Sequence, residues 1–346
     1  MNIGICGYGG MGRHHGTYLI PKSKQFKVMG VYDVDTSRQT QAIEDGFKNY
    51  ETYEAMLKDE NIDVILIATP NEIHKDLSID AMRHKKHVIC EKPVTLTSLE
   101  LEEIMAVEKE TGQTFMVHQN RRWDEDYLVV RNLFEHKQIG DVFHIESRVH
   151  GANGIPGDWR CEKKHGGGML YDWGVHLLDQ ILRMVESPLK SVSNINSYVL
   201  GHDVDDGFTS LLQFESGVMC LVEVSTTNFI PLPRWYVKGT EGTAVINDWN
   251  LSGEMIKYNV DAKYVAPTPI KAGAGFTKTM APLNHGSIIK MELPSPKKMS
   301  VPFYDNFLES LEDKSKIIVK NEEVLEVMRL IEAMFEAHHT NSIIHF

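Results

Sequence analysis

A short apolar run, Asn2-Ile3-Gly4-Ile5-Cys6, leads directly into Gly7-Tyr8-Gly9-Gly10-Met11-Gly12. This G-x-G-x-x-G turn constrains the fold more than any other feature of the chain. Gly7 permits a tight turn after a strand, and Gly9 lets the backbone approach a pyrophosphate. Gly12 lets the next helix, about Met11 to Leu19, pack closely on that strand with its amino end toward the phosphates. Glycine-rich turns are common, so context decides. A second apolar run, Val28 to Tyr32, ends in Asp33, 21 residues after Gly12. A carboxylate there accepts from both ribose hydroxyls and repels a 2′-phosphate, which favours NAD over NADP. Asp33 would otherwise read as a helix cap, a role that Asp35 or Thr36 fills equally well.

Strand and helix signals alternate through the first 120 residues. Strands are expected at Asn2 to Cys6, Val28 to Tyr32, Val64 to Ala68, His87 to Cys90 and Thr114 to His118. Helices are expected near Thr36 to Asp45, Tyr53 to Lys58, Ile73 to Arg83 and Ser98 to Thr111, the last opened by the capping box Thr97-Ser98-Leu99-Glu100. Such alternation predicts a doubly wound parallel sheet of the Rossmann type. After a helix at Asp124 to His136 the pattern changes. Strand runs at 142–149, 192–200, 208–214, 219–226, 235–238 and 243–246 are joined in part by short glycine turns, such as Glu215-Ser216-Gly217. Those are hairpin signals. The chain is therefore α/β: a Rossmann domain over 1–120, then an α/β domain over 121–346 built on a large, mostly antiparallel open sheet. Residues 250–300 read as loops on an edge of that sheet, and Phe303 to Leu311 and Glu322 to His338 as closing helices. An open sheet with few late helices to cover both faces predicts a homo-oligomer, dimer or tetramer.

Composition excludes several classes. The 346 residues suffice for two cores, and a formal net charge of -12 argues against nucleic acid or an anionic membrane as partner. Lys85-Lys86 and Lys297-Lys298 are isolated pairs and read as solvated loop charges. No apolar stretch approaches the ~20 residues of a membrane span, and Met1 runs straight into a strand without a signal-peptide pattern. Cys6, Cys90 and Cys220 lie in apolar runs and read as reduced core thiols, which points to the cytoplasm. Sixteen histidines show neither an H-E-x-x-H nor a Cys/His ladder, so no metal is expected.

Two further segments carry chemistry. Glu91-Lys92-Pro93 follows His87-Val88-Ile89-Cys90, which puts an amine at the carboxyl end of a buried strand, where open α/β sheets bind ligands. Thr69-Pro70-Asn71, with His74 beyond it, ends the third strand on the same edge. Asn71 either caps the next helix or contacts a cofactor. In the second domain, Gly166-Gly167-Gly168 opens an apolar helix running to about Val185. It bears Asp172 and His176 at i and i+4, and Asp179 one turn on. Acids and a histidine on an apolar helix are costly to bury unless they pair or serve a ligand. Asp172 and His176 read either as a hydrogen-bonded core pair or as proton-transfer groups, and Asp179 as a helix-face carboxylate.

Taken together, the glycine turn, Glu91-Lys92-Pro93 and the G-G-G…D-x-x-x-H helix resemble the Gfo/Idh/MocA oxidoreductases, NAD(P)-dependent enzymes of sugars, inositols and related polyols. The resemblance extends to Ala68-Thr69-Pro70-Asn71…His74, Gln119-Asn120-Arg121-Arg122-Trp123 and Trp159-Arg160, and covers nearly the whole chain. It implies that Lys92, Asp172 and His176 form the catalytic constellation and that Glu91 and Lys92 lie near the nicotinamide. The expected cofactor contacts are Gly7, Tyr8, Gly9, Gly10, Met11, Gly12, Asp33, Thr69, Pro70, Asn71, His74, Glu91, Lys92, Gln119 and Asn120. Arg121, Arg122, Trp123, Trp159, Arg160 and His165 flank the domain junction and are expected to select the substrate. Trp159 would stack on a sugar face. Arg121 and Arg122 alternatively pair with Asp124 or Asp126.

The resulting expectation is an enzyme moving hydride between NAD and a carbinol or ketone carbon of a sugar, glycoside or inositol. His176 would accept the hydroxyl proton, Asp172 would hold the imidazole tautomer, and Lys92 would donate to the substrate oxygen. Two alternatives stand beside it. One is an NAD-retaining, glycosidase-like enzyme that oxidises a ring carbon transiently before elimination. The other is a non-catalytic NAD-sensing regulator, against which the intact Lys92, Asp172 and His176 argue.

Overall fold

The computed structural model describes residues 1–296 and 302–346; Lys297-Lys298 fall outside the described residues. Five parallel strands form the first sheet: β1 (Asn2–Cys6), β2 (Lys27–Tyr32), β3 (Val64–Ile67), β4 (His87–Cys90) and β5 (Phe115–Val117), ordered β2-β1-β3-β4-β5. All four residues of β3 are buried, as expected of a parallel strand covered on both faces. The chain runs outward from β1 in both directions, so the strand order reverses between β1 and β3. The loops after β1, β3 and β4 meet at that switch point, where the sheet leaves a crevice.

The second sheet runs β15-β12-β11-β10-β6-β9-β8-β7-β16 among the described residues, with β15 (Ile288–Met291) and β12 (Gly253–Tyr258) at one edge and β16 (Ile344–His345) at the other. Its central strands are β6 (Val142–His150), β7 (Leu189–Ser197), β8 (Gly207–Phe214), β9 (Met219–Ser225), β10 (Trp235–Gly239) and β11 (Gly242–Ile246). The β6–β9 pair is parallel and the other pairings are antiparallel. Burial alternates along β8, where Phe208, Ser210, Leu212 and Phe214 face inward. The inward face is covered by helices Val175–Met184 and Asn321–Thr340. The outward face leaves Ile195, Leu211 and Met219 exposed.

The segment expected as edge loops contributes strands instead. β12 (Gly253–Tyr258) and β15 (Ile288–Met291) extend the sheet edge, and β13 (Ile270–Ala272) and β14 (Gly275–Thr277) form a separate hairpin. Only Met255 is buried in β12 and no residue is buried in β15. Strands at an edge held by backbone pairing need no alternating apolar pattern, and so they left no periodic signal.

The two closing helices, Pro302–Glu312 and Asn321–Thr340, return to the first domain. Asn321 Nδ2 donates to the main-chain oxygen of Phe115 in β5, and Ser98 donates to Glu332. Cys6, Cys90 and Cys220 are buried free thiols. No described helix is long and apolar enough to cross a membrane.

Candidate active site

A cleft of about 860 Å³ opens at the switch point. Its floor is the glycine turn. Gly7 has φ +89°, and a Cβ there would lie 2.6 Å from Ala68 O; one on Gly12 would lie 1.9 Å from Gly7 O. Glycine is required at both, the first by conformation and close approach, the second by helix-on-strand packing. Gly9 and Gly10 have no neighbour within 4 Å of such a Cβ, which leaves the backbone there open to approach by a pyrophosphate. Tyr8 contributes its backbone: its ring is buried and its hydroxyl donates to Asp45.

Asp33 stands at one end of the cleft. Its carboxylate accepts from Tyr8 N at 2.6 Å and Asp35 N at 2.9 Å, which ties the end of β2 to the glycine turn. Arg38 lines the same end. It was missed from sequence, although a basic residue one turn into the helix that follows such an acid was a signal available to find it. Thr69, Pro70 and Asn71 form one wall. Asn71 does not cap the helix; its amide donates to the main-chain oxygens of His165 and Gly166, clasping the second domain. His74 is buried, its ring held between the main-chain oxygens of Thr69 and Pro93. It shapes that wall from behind.

Lys92 and Asp172 meet at the other end. Lys92 Nζ donates to Asp172 Oδ1 at 3.1 Å and to its main-chain oxygen at 3.0 Å. Arg160 Nε lies 3.5 Å from Asp172 Oδ2, and Asp158 accepts from Arg160. Burial pushes the Asp172 carboxyl up, but the charges of Lys92 and Arg160 outweigh it and hold the group below its usual range. Trp159 lines the cleft here with the Arg160 guanidinium over its ring. His165 is pinned by Glu72 at 2.5 Å.

His176 corrects one expectation. No hydrogen bond joins it to Asp172 among the described residues, and its Nδ1 is buried without a partner. Residues Leu170–Gly174 form a wide π-turn ahead of the helix Val175–Met184. The wider turn breaks the i, i+4 stacking of a regular helix, and Lys92 and Arg160 take the carboxylate instead. Burial, followed by the charges of Lys92 and Arg121, drives the His176 proton affinity well below its ordinary value. The imidazole is neutral. Asp205 braces this turn: its Oδ2 accepts from Leu170 N at 2.8 Å, and a Cβ on Gly168 would strike Oδ1 at 2.3 Å.

The 119–123 segment divides. Arg121 pairs with Asp124 at 2.8 Å and lies over Trp173 and Trp249. Arg122 departs from the substrate-binding expectation. It is buried in a two-point ion pair with Asp179, and its third nitrogen reaches Glu323 and Ile318 O. Asp179 is accordingly a buried partner and not a surface helix carboxylate. Trp123 packs edge-on against Phe303, and Asn120 is exposed. Gln119 is buried with both side-chain amide atoms unpartnered. None of these five lines the cleft.

A family model described as an oxidoreductase family with an NAD-binding Rossmann fold matches residues 1–119, and a GFO/IDH/MocA C-terminal domain model matches 127–245. The crystal structure of an NAD-binding protein from Listeria innocua is 55% identical, covers 100% of this chain and 99% of its own, and superposes with a TM-score of 0.97. The scyllo-inositol 2-dehydrogenase (NADP(+)) IolW of Bacillus subtilis is 26% identical over 97% of this chain and 93% of its own length. The 1,5-anhydro-D-fructose reductase of Ensifer adhaerens is 30% identical over 59% of this chain and 63% of its own.

Proposed function

Because this chain belongs to the Gfo/Idh/MocA oxidoreductases, we propose that it transfers hydride between NAD and a carbinol or ketone carbon of a sugar, a sugar glycoside or an inositol. The observation that carries the reading is the cleft itself. It has a glycine cradle and Asp33 at one end, and Lys92, Asp172 and Trp159 at the other. Relatives whose names specify scyllo-inositol and 1,5-anhydro-D-fructose support a cyclic polyol or sugar substrate.

NAD, when bound, supplies the hydride acceptor. Lys92 donates to the substrate oxygen, which carries negative charge in the transition state in either direction. Asp172 keeps the Lys92 ammonium in place through its carboxylate and main-chain oxygens. His176, buried and kept neutral in part by the Lys92 charge, accepts the hydroxyl proton; negative charge developing on the substrate oxygen raises its proton affinity as transfer proceeds. Trp159 offers its ring to an apolar sugar face. Asp33 selects NAD by accepting from ribose hydroxyls. Self-association through the outward face of β7, β8 and β9 belongs to the same reading, supported by exposed Ile195, Leu211 and Met219. Three buried free thiols suit a reducing cytoplasm.

The test is a panel of inositols, aldoses and glycosides with NAD or NADP, followed by nicotinamide absorbance and product analysis. The expected result is substrate-dependent NADH formation on a cyclic polyol or sugar. Cofactor binding without turnover on any such compound would overturn the reading. Release of an aglycone with no net NADH would assign the chain to the transient-oxidation alternative.

A further inference from the structure

Behind Lys92 runs a buried ionisable chain that the proposed chemistry leaves unused. Tyr304 Oη lies 2.6 Å from His15 Nδ1, His15 Nε2 lies 2.7 Å from Glu91 Oε1, and His118 Nδ1 lies 2.8 Å from that same oxygen. Glu91 Oε2 accepts from Lys92 N at 3.1 Å. All four residues are at most 5% exposed. His15, Glu91 and His118 have the composition of a metal site. Their contacts are hydrogen-bond distances to one shared oxygen, however, and a tetrahedral zinc would hold its ligand atoms about 3.3 Å apart.

One proton arrangement satisfies the whole chain. Tyr304 donates to His15 Nδ1, and His15 Nε2–H and His118 Nδ1–H both donate to Glu91. Glu91, with three donors on its two oxygens, is a carboxylate. Burial, then His118, lowers His15 to about 4. Burial opposes the charge on Glu91, but the two histidines outweigh it and hold the carboxyl well below its usual range. Nearby charges otherwise cancel: Lys92 and Arg160 against Asp172 and Asp158, Arg121 against Asp124. Glu91 itself lines the cleft, at the end opposite Asp33. With ribose at Asp33 and pyrophosphate on the glycine turn, the nicotinamide falls at that end. The oxidised ring carries a positive charge and the reduced ring carries none.

We propose that Glu91, kept ionised by His15 and His118, makes the cleft select the oxidised over the reduced cofactor. The inference rests on the NAD reading above. A desolvated carboxylate near a cationic ring interacts strongly enough to change affinity by about tenfold or more.

The experiment is fluorescence or calorimetric titration of the full-length protein with NAD+ and with NADH, at pH 6 and pH 8. Variants are Glu91→Gln, His118→Asn and His118→Leu, each checked for folding by circular dichroism. Glu91→Gln is expected to weaken NAD+ binding about tenfold and leave NADH within about twofold. His118→Asn retains a donor where the ring Nδ1 stood and keeps the parental ratio. His118→Leu removes the donor, which raises the proton affinity of Glu91 among His15, Tyr304 and the Lys92 backbone amide, so its NAD+ preference is smaller at pH 6 than at pH 8. Equal weakening of both nucleotides by Glu91→Gln, or no change in either, would overturn the proposal. If Glu91→Gln does not fold, identical ratios for the two His118 variants at both pH values do the same. A parent that binds neither nucleotide would sink the NAD reading along with it.

Discussion

Lys92 Nζ and Asp172 Oδ1, 80 residues apart in sequence, lie 3.1 Å from one another at the end of the cleft opposite Asp33, with the Asp172 main-chain oxygen also on the ammonium. Asp172 is therefore the partner of the amine and not of the imidazole. The division of labour expected from the D-x-x-x-H spacing changes accordingly. Asp172 positions Lys92, and His176 is neutral with its Nδ1 unpartnered.

Replacing Asp172 by asparagine removes the charge and keeps the shape. Turnover should fall by about 10²–10⁴-fold, with NAD affinity within about threefold of the parent. Lys92→Met should give a loss of the same order. Steady-state kinetics on the identified substrate, alongside cofactor titration, checks both. A rise in KM alone, with kcat unchanged, would mean that the pair only binds.

Asp33 tests cofactor choice. Asp33→Ser removes the ribose acceptor and the anion that faces a 2′-phosphate, and leaves Arg38 at the same end of the cleft. The ratio of kcat/KM for NAD over NADP should drop at least about tenfold. A parent enzyme that already prefers NADP would refute the role given to this carboxylate.

Arg122 is predicted to act on stability. Arg122→Ala strands Asp179 and Glu323 without their cation, and loss of one partner of a buried pair costs about 3–5 kcal/mol. Chemical denaturation should show that loss, while the substrate KM of the folded fraction stays near the parental value. A raised KM with unchanged stability would restore Arg122 to the substrate site.

Asp205 gives a pH signature. Burial pushes its carboxyl up to about 7 from an ordinary value of 3.8. Between those values the folded state holds a proton that the unfolded state has released. Its contribution therefore falls as pH rises through that window, and the ionised group is a burden above pH 7. Asp205→Asn, which still offers an acceptor to Leu170 N, should gain Tm relative to the parent at pH 8.5 compared with pH 5. A Tm difference independent of pH would show that Asp205 titrates normally.

Much of the cofactor half was legible in the chain because its determinants are local. The turn Gly7–Gly12 and Asp33 lie within one strand-helix-strand unit, where spacing and glycine stereochemistry dictate geometry. The capping box at Thr97 and Glu100 formed as its four residues predict. The edge strands β12 and β15 were not legible, because their side chains are mostly outside the core and carry no burial period.

By itself the sequence determined the strand–helix alternation of the first 120 residues, the parallel sheet with its glycine cradle, and which residue types could do proton work. These follow from periodicity and from backbone constraints felt over a few residues. The tertiary structure alone decided the partners. It turned Asp172 toward Lys92, sent Arg122 into a buried pair with Asp179, and brought Tyr304 across 289 positions to His15. Burial makes an unpaired charge costly, so each ionisable group takes whichever partner the packed elements deliver. That choice is set by distance in space, which one strand's or helix's pattern does not encode.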